Sequence, residues 1–194
     1  SARIRTDDRI PVREMLYGLL LPSGNDASVA LAQHFGARLR EPNAKNVAPV
    51  AAFVAAMNRE VARLKLGETR YIDPHGLGRN ETSARDLCTL AHAAMQNATF
   101  RQYVQTRRHQ CQVMDAKNER RMMTWDNTNK LLDIEGYDGI KTGTTNAAGS
   151  CLVGSGRRGD DHLFVTVLGC TSNDSRYTDT RNLFRWAWRQ RAGR

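Results

Sequence analysis

The longest regular pattern of apolar positions runs through Val50, Phe53, Val54, Met57, Val61 and Leu64. Steps of three and four residues put these side chains on one helical face, and Gly67 stands where the helix should end. Four other helices are predicted around it. Val12 to Leu21 is apolar on most sides and reads as a buried helix ending near Pro22. Ala27, Val29, Ala30, Leu31 and Ala32 make a small-residue helix that Gly36 would close, and the polar stretch 37–46 reads as a loop. Ser83-Ala84-Arg85-Asp86 has the form of a capping box opening a helix through Leu87, Leu90, Ala91 and Met95, and a shorter helix covers Phe100 to Val104.

From His109 the pattern changes. HQCQVMD and RRMMTW, separated by AKNE, predict a two-stranded ribbon. After the loop NTNKLLDIEGYDG, Ala148 to Gly154 and LFVTVLG predict two strands joined across GRRGDD. The stretch TDTRNLFRWAWRQR predicts a closing helix with Leu183, Phe184, Ala187 and Trp188 on its inner side. Helices first, then an antiparallel sheet under a last helix, is an α+β arrangement. The expected organisation is one domain over 1–194, with a helical part at 10–108, a ribbon at 109–126, and the sheet with its C-terminal helix at 138–190.

Composition narrows the class without naming a function. With 40% hydrophobic and 25% charged residues, the chain has the balance of a soluble globular protein. No run approaches the length of a membrane span, so membrane association is not encoded in this chain. The net charge of +9 favours anionic surroundings. Its basic residues are scattered, with concentrations such as Arg107-Arg108-His109 and the C-terminal RQRAGR, and neither a nucleic-acid motif nor an aromatic platform organises them. A nucleic-acid partner is therefore not expected. Cys88, Cys111, Cys151 and Cys170 form no CxxC pair and no zinc-spaced cluster, so free thiols are expected and neither metal nor organic cofactor is implied. A tight hairpin would set Cys151 opposite Thr166 or Val167, and Cys170 opposite residue 147 or 148, which argues against a disulfide between them.

Two short motifs carry candidate chemistry. Ser23-Gly24-Asn25 stands at the mouth of a helix, where Ser or Asn ordinarily caps. As chemistry, Ser23 would pass a proton between a lysine and a leaving amine, and Asn25 would donate to a substrate carbonyl. Lys141-Thr142-Gly143-Thr144 opens a predicted strand. There Lys141 supplies an ammonium, the hydroxyls of Thr142 and Thr144 suit a carboxylate, and Gly143 leaves room for an extended peptide beside the strand. The N–H of Thr144 would face a developing oxyanion. No phosphate-cradling glycine run precedes the lysine.

The ordered set SGN with DASVALA, then DPHGL, NTNKLL and DGIKTGTT, resembles the D-alanyl-D-alanine carboxypeptidase family, the low-molecular-mass penicillin-binding proteins of the S11 serine peptidase type. The resemblance runs from about Ile10 to Trp188. It implies a β-lactamase/DD-peptidase-like fold and removal of the terminal D-Ala from peptidoglycan stem pentapeptides through an acyl-enzyme, with β-lactams as inhibitors. It also implies a periplasmic or extracytoplasmic location. By the same resemblance, Ser23, Asn25 and Lys141 are catalytic, and Lys141, Thr142, Gly143 and Thr144 bind substrate. Asp73 and His75 of DPHGL would be structural.

The family takes its nucleophile and base from a Ser-x-x-Lys turn. No serine of this chain has lysine three positions later. The expectation is an inactive fragment, without the nucleophile helix and first strands of the sheet. Such a monomer would be marginally stable unless an oligomer or exchanged strand covers the open sheet edge. Two other readings differ in chemistry. One is a non-catalytic domain binding peptidoglycan or a protein. The other is a β-lactamase relative, against which stand the absence of an ExxLN motif and the presence of SGN rather than SDN.

Overall fold

The computed structural model describes residues 1–43 and 46–192. Part of the predicted 37–46 loop and the last two residues of RQRAGR lie outside the described residues. Helices combine with antiparallel strands, and the chain divides into two compact units: Ser1–Ser83 with Thr106–Asn127, and Ala84–Gln105 with Thr128–Arg194.

The first unit contains α1 (Val12–Leu20), α2 (Asn25–Gly36), α3 (Pro49–Arg63) and a ribbon of β1 (Arg108–Met114) and β2 (Arg120–Asp126). Its core gathers Ala2, Leu21, Ala27, Val113, Met123 and Trp125. The Trp125 indole donates to the carbonyl of Ala2 at 2.9 Å, which ties the chain start to the ribbon.

Two glycines act differently from the sequence expectation. Gly36 is the last residue of α2 but keeps helical dihedrals, φ −58°. A Cβ there would fall 1.8 Å from the Pro49 carbonyl oxygen, so Gly36 is required by the close approach of α3. Nor does Gly67 end α3. Lys65 takes the left-handed conformation (φ 56°), while the N–H groups of Lys65 and Leu66 return to the carbonyls of Ala62 and Val61. This is the Schellman arrangement, and Leu66 and Val61 are both buried.

The second unit holds α4 (Ala84–Ala94), α5 (Ala98–Gln105), a sheet of β3 (Tyr137–Thr145), β4 (Gly149–Arg158) and β5 (Asp161–Cys170), and α6 (Asn173–Ala192). The sheet order is β3-β4-β5, all antiparallel, with β3 and β5 at the two ends. Alternation along β5 separates its two faces. Leu163, Val165 and Val167 join Leu131, Leu152, Tyr177, Phe184 and Trp188 in the core under α6. On the other face Phe164 meets His92 of α4 edge-on, and Thr166 contacts Cys88.

Two boundaries move from their predicted places. β3 begins within the expected loop, at Tyr137. α6 begins five residues before Thr178, because Ser172 and Ser175 cap it reciprocally: each backbone N–H donates to the other's hydroxyl, at 3.1 and 3.0 Å. The inner stripe of α6 is Arg176, Tyr177, Thr180, Phe184 and Trp188, and Leu183 faces outward. The β4–β5 register also differs. The turn is Gly159-Asp160 and a bulge lies between Ser150 and Leu152, so Leu152 faces Val167 and Cys170 faces Ser150, instead of residue 147 or 148. All four cysteines are free.

Candidate active site

Ser23-Gly24-Asn25 forms the turn between α1 and α2, and it is held by its backbone. Ser23 has φ 58°, in the left-handed region that costs a side-chain-bearing residue conformational energy. Gly24 is the residue before the helix, and no side chain caps the end. The capping expectation for Ser23 and Asn25 therefore fails. Among the described residues neither side chain makes a hydrogen bond, which leaves both polar groups uncommitted.

Gly24 is fixed by proximity. Its N–H donates to the Gly18 carbonyl at 3.2 Å, and a Cβ at this position would lie 2.6 Å from that oxygen and 2.7 Å from Ala2 Cβ. Asp26 completes the anchorage. Its carboxylate accepts from the N–H groups of Ala2 (2.8 Å) and Ile4 (3.1 Å) and from the Ser1 hydroxyl (2.8 Å). Burial pushes the Asp26 carboxyl up, but these bonds to its ionised form outweigh burial and hold its pKa below the ordinary value.

Lys141-Thr142-Gly143-Thr144 lies on β3, at one end of the sheet, and a side-chain network holds it. Thr142 Oγ1 shares a hydrogen bond of 2.6 Å with Thr128, whose carbonyl accepts from the Tyr177 hydroxyl at 2.8 Å. From α6, Arg176 donates to the Gly143 carbonyl (3.3 Å) and to Thr144 Oγ1 (3.0 Å), and it is only 7% exposed. Lys141 Nζ donates to the Thr142 carbonyl at 2.6 Å. Burial, joined by the positive charge of Arg176, lowers the Lys141 pKa from 10.5 to about 8. A Cβ on Gly143 would meet nothing within 4 Å, so the space beside the strand is open there.

A family model for D-alanyl-D-alanine carboxypeptidase matches residues 1–172. The chain belongs to the D-alanyl-D-alanine carboxypeptidase family. It is 36% identical over 192 residues to a D-alanyl-D-alanine carboxypeptidase of a Streptomyces species, covering 97% of this chain and 64% of that protein. To the D-alanyl-D-alanine carboxypeptidase DacD of Escherichia coli it is 30% identical over 185 residues, covering 94% of this chain and 43% of the relative. The crystal structure of a Streptomyces DD-transpeptidase superposes with a TM-score of 0.89 at 35% identity, covering 97% of this chain and 71% of that one. The α+β fold is thus the DD-peptidase fold, and the chain spans less than two thirds of the length of these curated relatives.

Within this member of the carboxypeptidase family, Ser23 and Asn25 share one turn in the first unit. Lys141, Thr142, Gly143 and Thr144 share one strand in the second. Sequence reasoning missed the supports of that strand, namely Thr128, Arg176 and Tyr177. For Thr128 the NTNKLL segment was the available signal. Arg176 and Tyr177 carry none, since only the packing of α6 brings them beside β3.

DPHGL forms a turn around the Asp73 carboxylate, which accepts from the N–H groups of His75 (2.8 Å), Gly76 (2.5 Å) and Gly78. Its carbonyl end also touches α2, where the Ser28 hydroxyl donates to the Pro74 carbonyl at 2.5 Å. That geometry is structural. Ser155, His162 and Asp138 form a Ser-His-Asp cluster in the sheet. The Ser155 hydroxyl donates to Asp138 and lies 2.7 Å from His162 Nε2. Ser155 is wholly buried, and Asp138 binds its hydroxyl directly rather than orienting the imidazole through its other nitrogen. This cluster satisfies buried polar groups and is not a nucleophilic triad.

Proposed function

We propose that the protein carrying this chain is a serine-type D-Ala-D-Ala carboxypeptidase of the bacterial cell wall, acting outside the cytoplasm. In this reading it removes the terminal D-Ala of peptidoglycan stem pentapeptides through an acyl-enzyme and is trapped by β-lactams. The observation that carries the reading is the Lys141–Thr144 strand. It combines an amine with a pKa of about 8, an adjoining buried guanidinium, two threonine hydroxyls and open space over Gly143.

Near neutral pH such an amine exists in both forms. Its ammonium attracts the substrate carboxylate, and Ser23 gives its hydroxyl proton to the nitrogen of the leaving D-alanine while taking one back from a lysine ammonium. Asn25 donates to the substrate amide carbonyl. Thr142 and Thr144 bind the terminal carboxylate, and Arg176 adds fixed positive charge to the same strand. The Thr144 N–H stabilises the oxyanion.

The chain has no Ser-x-x-Lys turn, so in this reading the 194 residues supply the proton shuttle and substrate strand but form no acyl-enzyme by themselves. Two measurements test the proposal. The product of the whole gene should be labelled by a fluorescent penicillin and release D-alanine from a pentapeptide. Ser23→Ala or Lys141→Ala in it should lower kcat by about 10²–10⁴-fold. The 194-residue chain should remain unlabelled. Labelling of that chain would overturn the assignment of its missing nucleophile. A whole-gene product that neither labels nor hydrolyses would overturn the function.

A further inference from the structure

Outside the residues assigned above, the first unit brings together three different metal-ligating side chains. His109 and Cys111 stand two residues apart on β1, so both point to the same side of the ribbon as buried Val113. Glu14 reaches them from the first turn of α1. One donor atom from each of the three residues lies within 4.8 Å of the other two, and all three side chains are partly buried. His109 Nε2 and Glu14 Oε2 are 2.5 Å apart.

The imidazole is held in plane by its neighbours. Tyr17 stacks on it at 3.7 Å between centroids and 14° between planes, and Trp125 lies parallel beyond it at 6.4 Å and 13°. The other carboxylate oxygen of Glu14 accepts from Nε of the largely exposed Arg13 at 3.1 Å.

We propose that Glu14, His109 and Cys111 form a binding site for a divalent transition-metal ion, with zinc the ion their donor set suits best. Imidazole nitrogen, thiolate sulfur and carboxylate oxygen are the three ligand types zinc takes from proteins, and three protein ligands leave a fourth tetrahedral position for water. Charge agrees with this choice. A thiolate and a carboxylate bring two negative charges and the neutral imidazole none, so a dication gives a site of zero net charge in a partly buried place.

Bond lengths of about 2.0–2.3 Å set neighbouring ligand atoms of a tetrahedral zinc site roughly 3.3–3.8 Å apart. The ion therefore enters between His109 and Glu14, parting them by about 1 Å, and draws Cys111 inward from the observed limit. Binding forms Zn–S, Zn–N and Zn–O bonds. The proton leaves the Cys111 thiol for solvent, and any proton shared by His109 and Glu14 leaves with it. No oxidation or reduction takes place. Calcium and magnesium do not suit this donor set, since both take oxygen ligands.

Cobalt(II) is the test probe, because thiolate coordination gives it a near-ultraviolet charge-transfer band. Titrating metal-free protein with cobalt should produce that band at one equivalent, and zinc should abolish it at one equivalent. Cys111→Ser should eliminate the band. Glu14→Gln and His109→Gln should weaken binding by about 10²-fold or more. Cys151→Ser should bind as the wild type does. Circular dichroism establishes that each variant is folded, and if Cys111→Ser is not, the near-isosteric Glu14→Gln variant decides. No band with cobalt in excess, a band that survives Cys111→Ser, or unchanged affinity in Glu14→Gln overturns the proposal. These readouts involve no peptidase activity, so they stand or fall separately from the function proposed above.

Discussion

The Ser23-Gly24-Asn25 turn and the Lys141–Thr144 strand present chemistry by opposite means. In the turn, backbone geometry does the positioning: a left-handed Ser23, a Gly24 packed against the Gly18 carbonyl, and an Asp26 carboxylate gripping the first residues. The Ser23 and Asn25 side chains are left free for other work. On the strand, side chains do the positioning, through Thr128, Arg176 and Tyr177. There the cost is electrostatic, because Lys141 is held next to a second cation in a desolvated place. A turn stores its cost in dihedral strain and close packing, whereas a strand stores it in a displaced protonation equilibrium.

Gly24→Ala should break the turn side of this comparison most severely. The new Cβ meets backbone oxygen at 2.6 Å and the wholly buried Ala2 at 2.7 Å, neither of them a flexible side-chain end. Overpacking of this kind should cost about 3 kcal/mol in chemical denaturation, with the loss concentrated in the first unit. A variant as stable as the parent would show that the turn is not fixed by close approach.

The strand side makes the reverse prediction. Lys141→Met should raise stability at neutral pH by about 2 kcal/mol, because it removes a half-buried, desolvated ammonium while keeping the stem. The sign follows from linkage. The folded-state pKa is about 8 and the ordinary value 10.5, so between those values the unfolded chain holds more protons. Wild-type stability therefore rises as pH increases from about 8 towards 10.5, and the charged lysine is least favourable below 8. Denaturation curves across this range should show the slope in the wild type and its loss in Lys141→Met. A destabilised variant with the slope intact would overturn the electrostatic account.

The smallest effect belongs to Ser23 itself. Ser23→Gly should stabilise by about 1 kcal/mol, since glycine takes φ near 58° without the Cβ penalty. Thermal melts would check this, and a lowered Tm would mean that the Ser23 side chain contributes packing that outweighs its strain.

Much of the fold was legible because its signals are local. The periodicity of α3 and the alternation in β1 and β2 need only neighbours a few residues away. What misled were residues whose roles depend on distant partners. Gly36 looks like a helix terminator, yet it serves contact with Pro49. The serine pair at 172 and 175 starts α6, but no apolar residue marks that start. The bulge at Cys151 shifts the hairpin register, and no pattern in β4 announces it. In the candidate site, Ser23, Asn25 and Lys141 were legible through the order of motifs along the chain. Arg176 was not, because an arginine in a helix beginning has no local mark of its own.

By itself, the sequence determined the succession of elements, the α+β class, the family and the residues with candidate chemistry. Each of these follows from residue type, period and order along the chain. The tertiary structure alone decided which environment each residue meets. It lowered the Lys141 pKa by desolvating it near Arg176, took Ser23 out of its capping role by turning its backbone left-handed, and gathered Glu14, His109 and Cys111. Desolvation, close approach and charge proximity are properties of three-dimensional neighbours, and those neighbours exist only once the chain has packed.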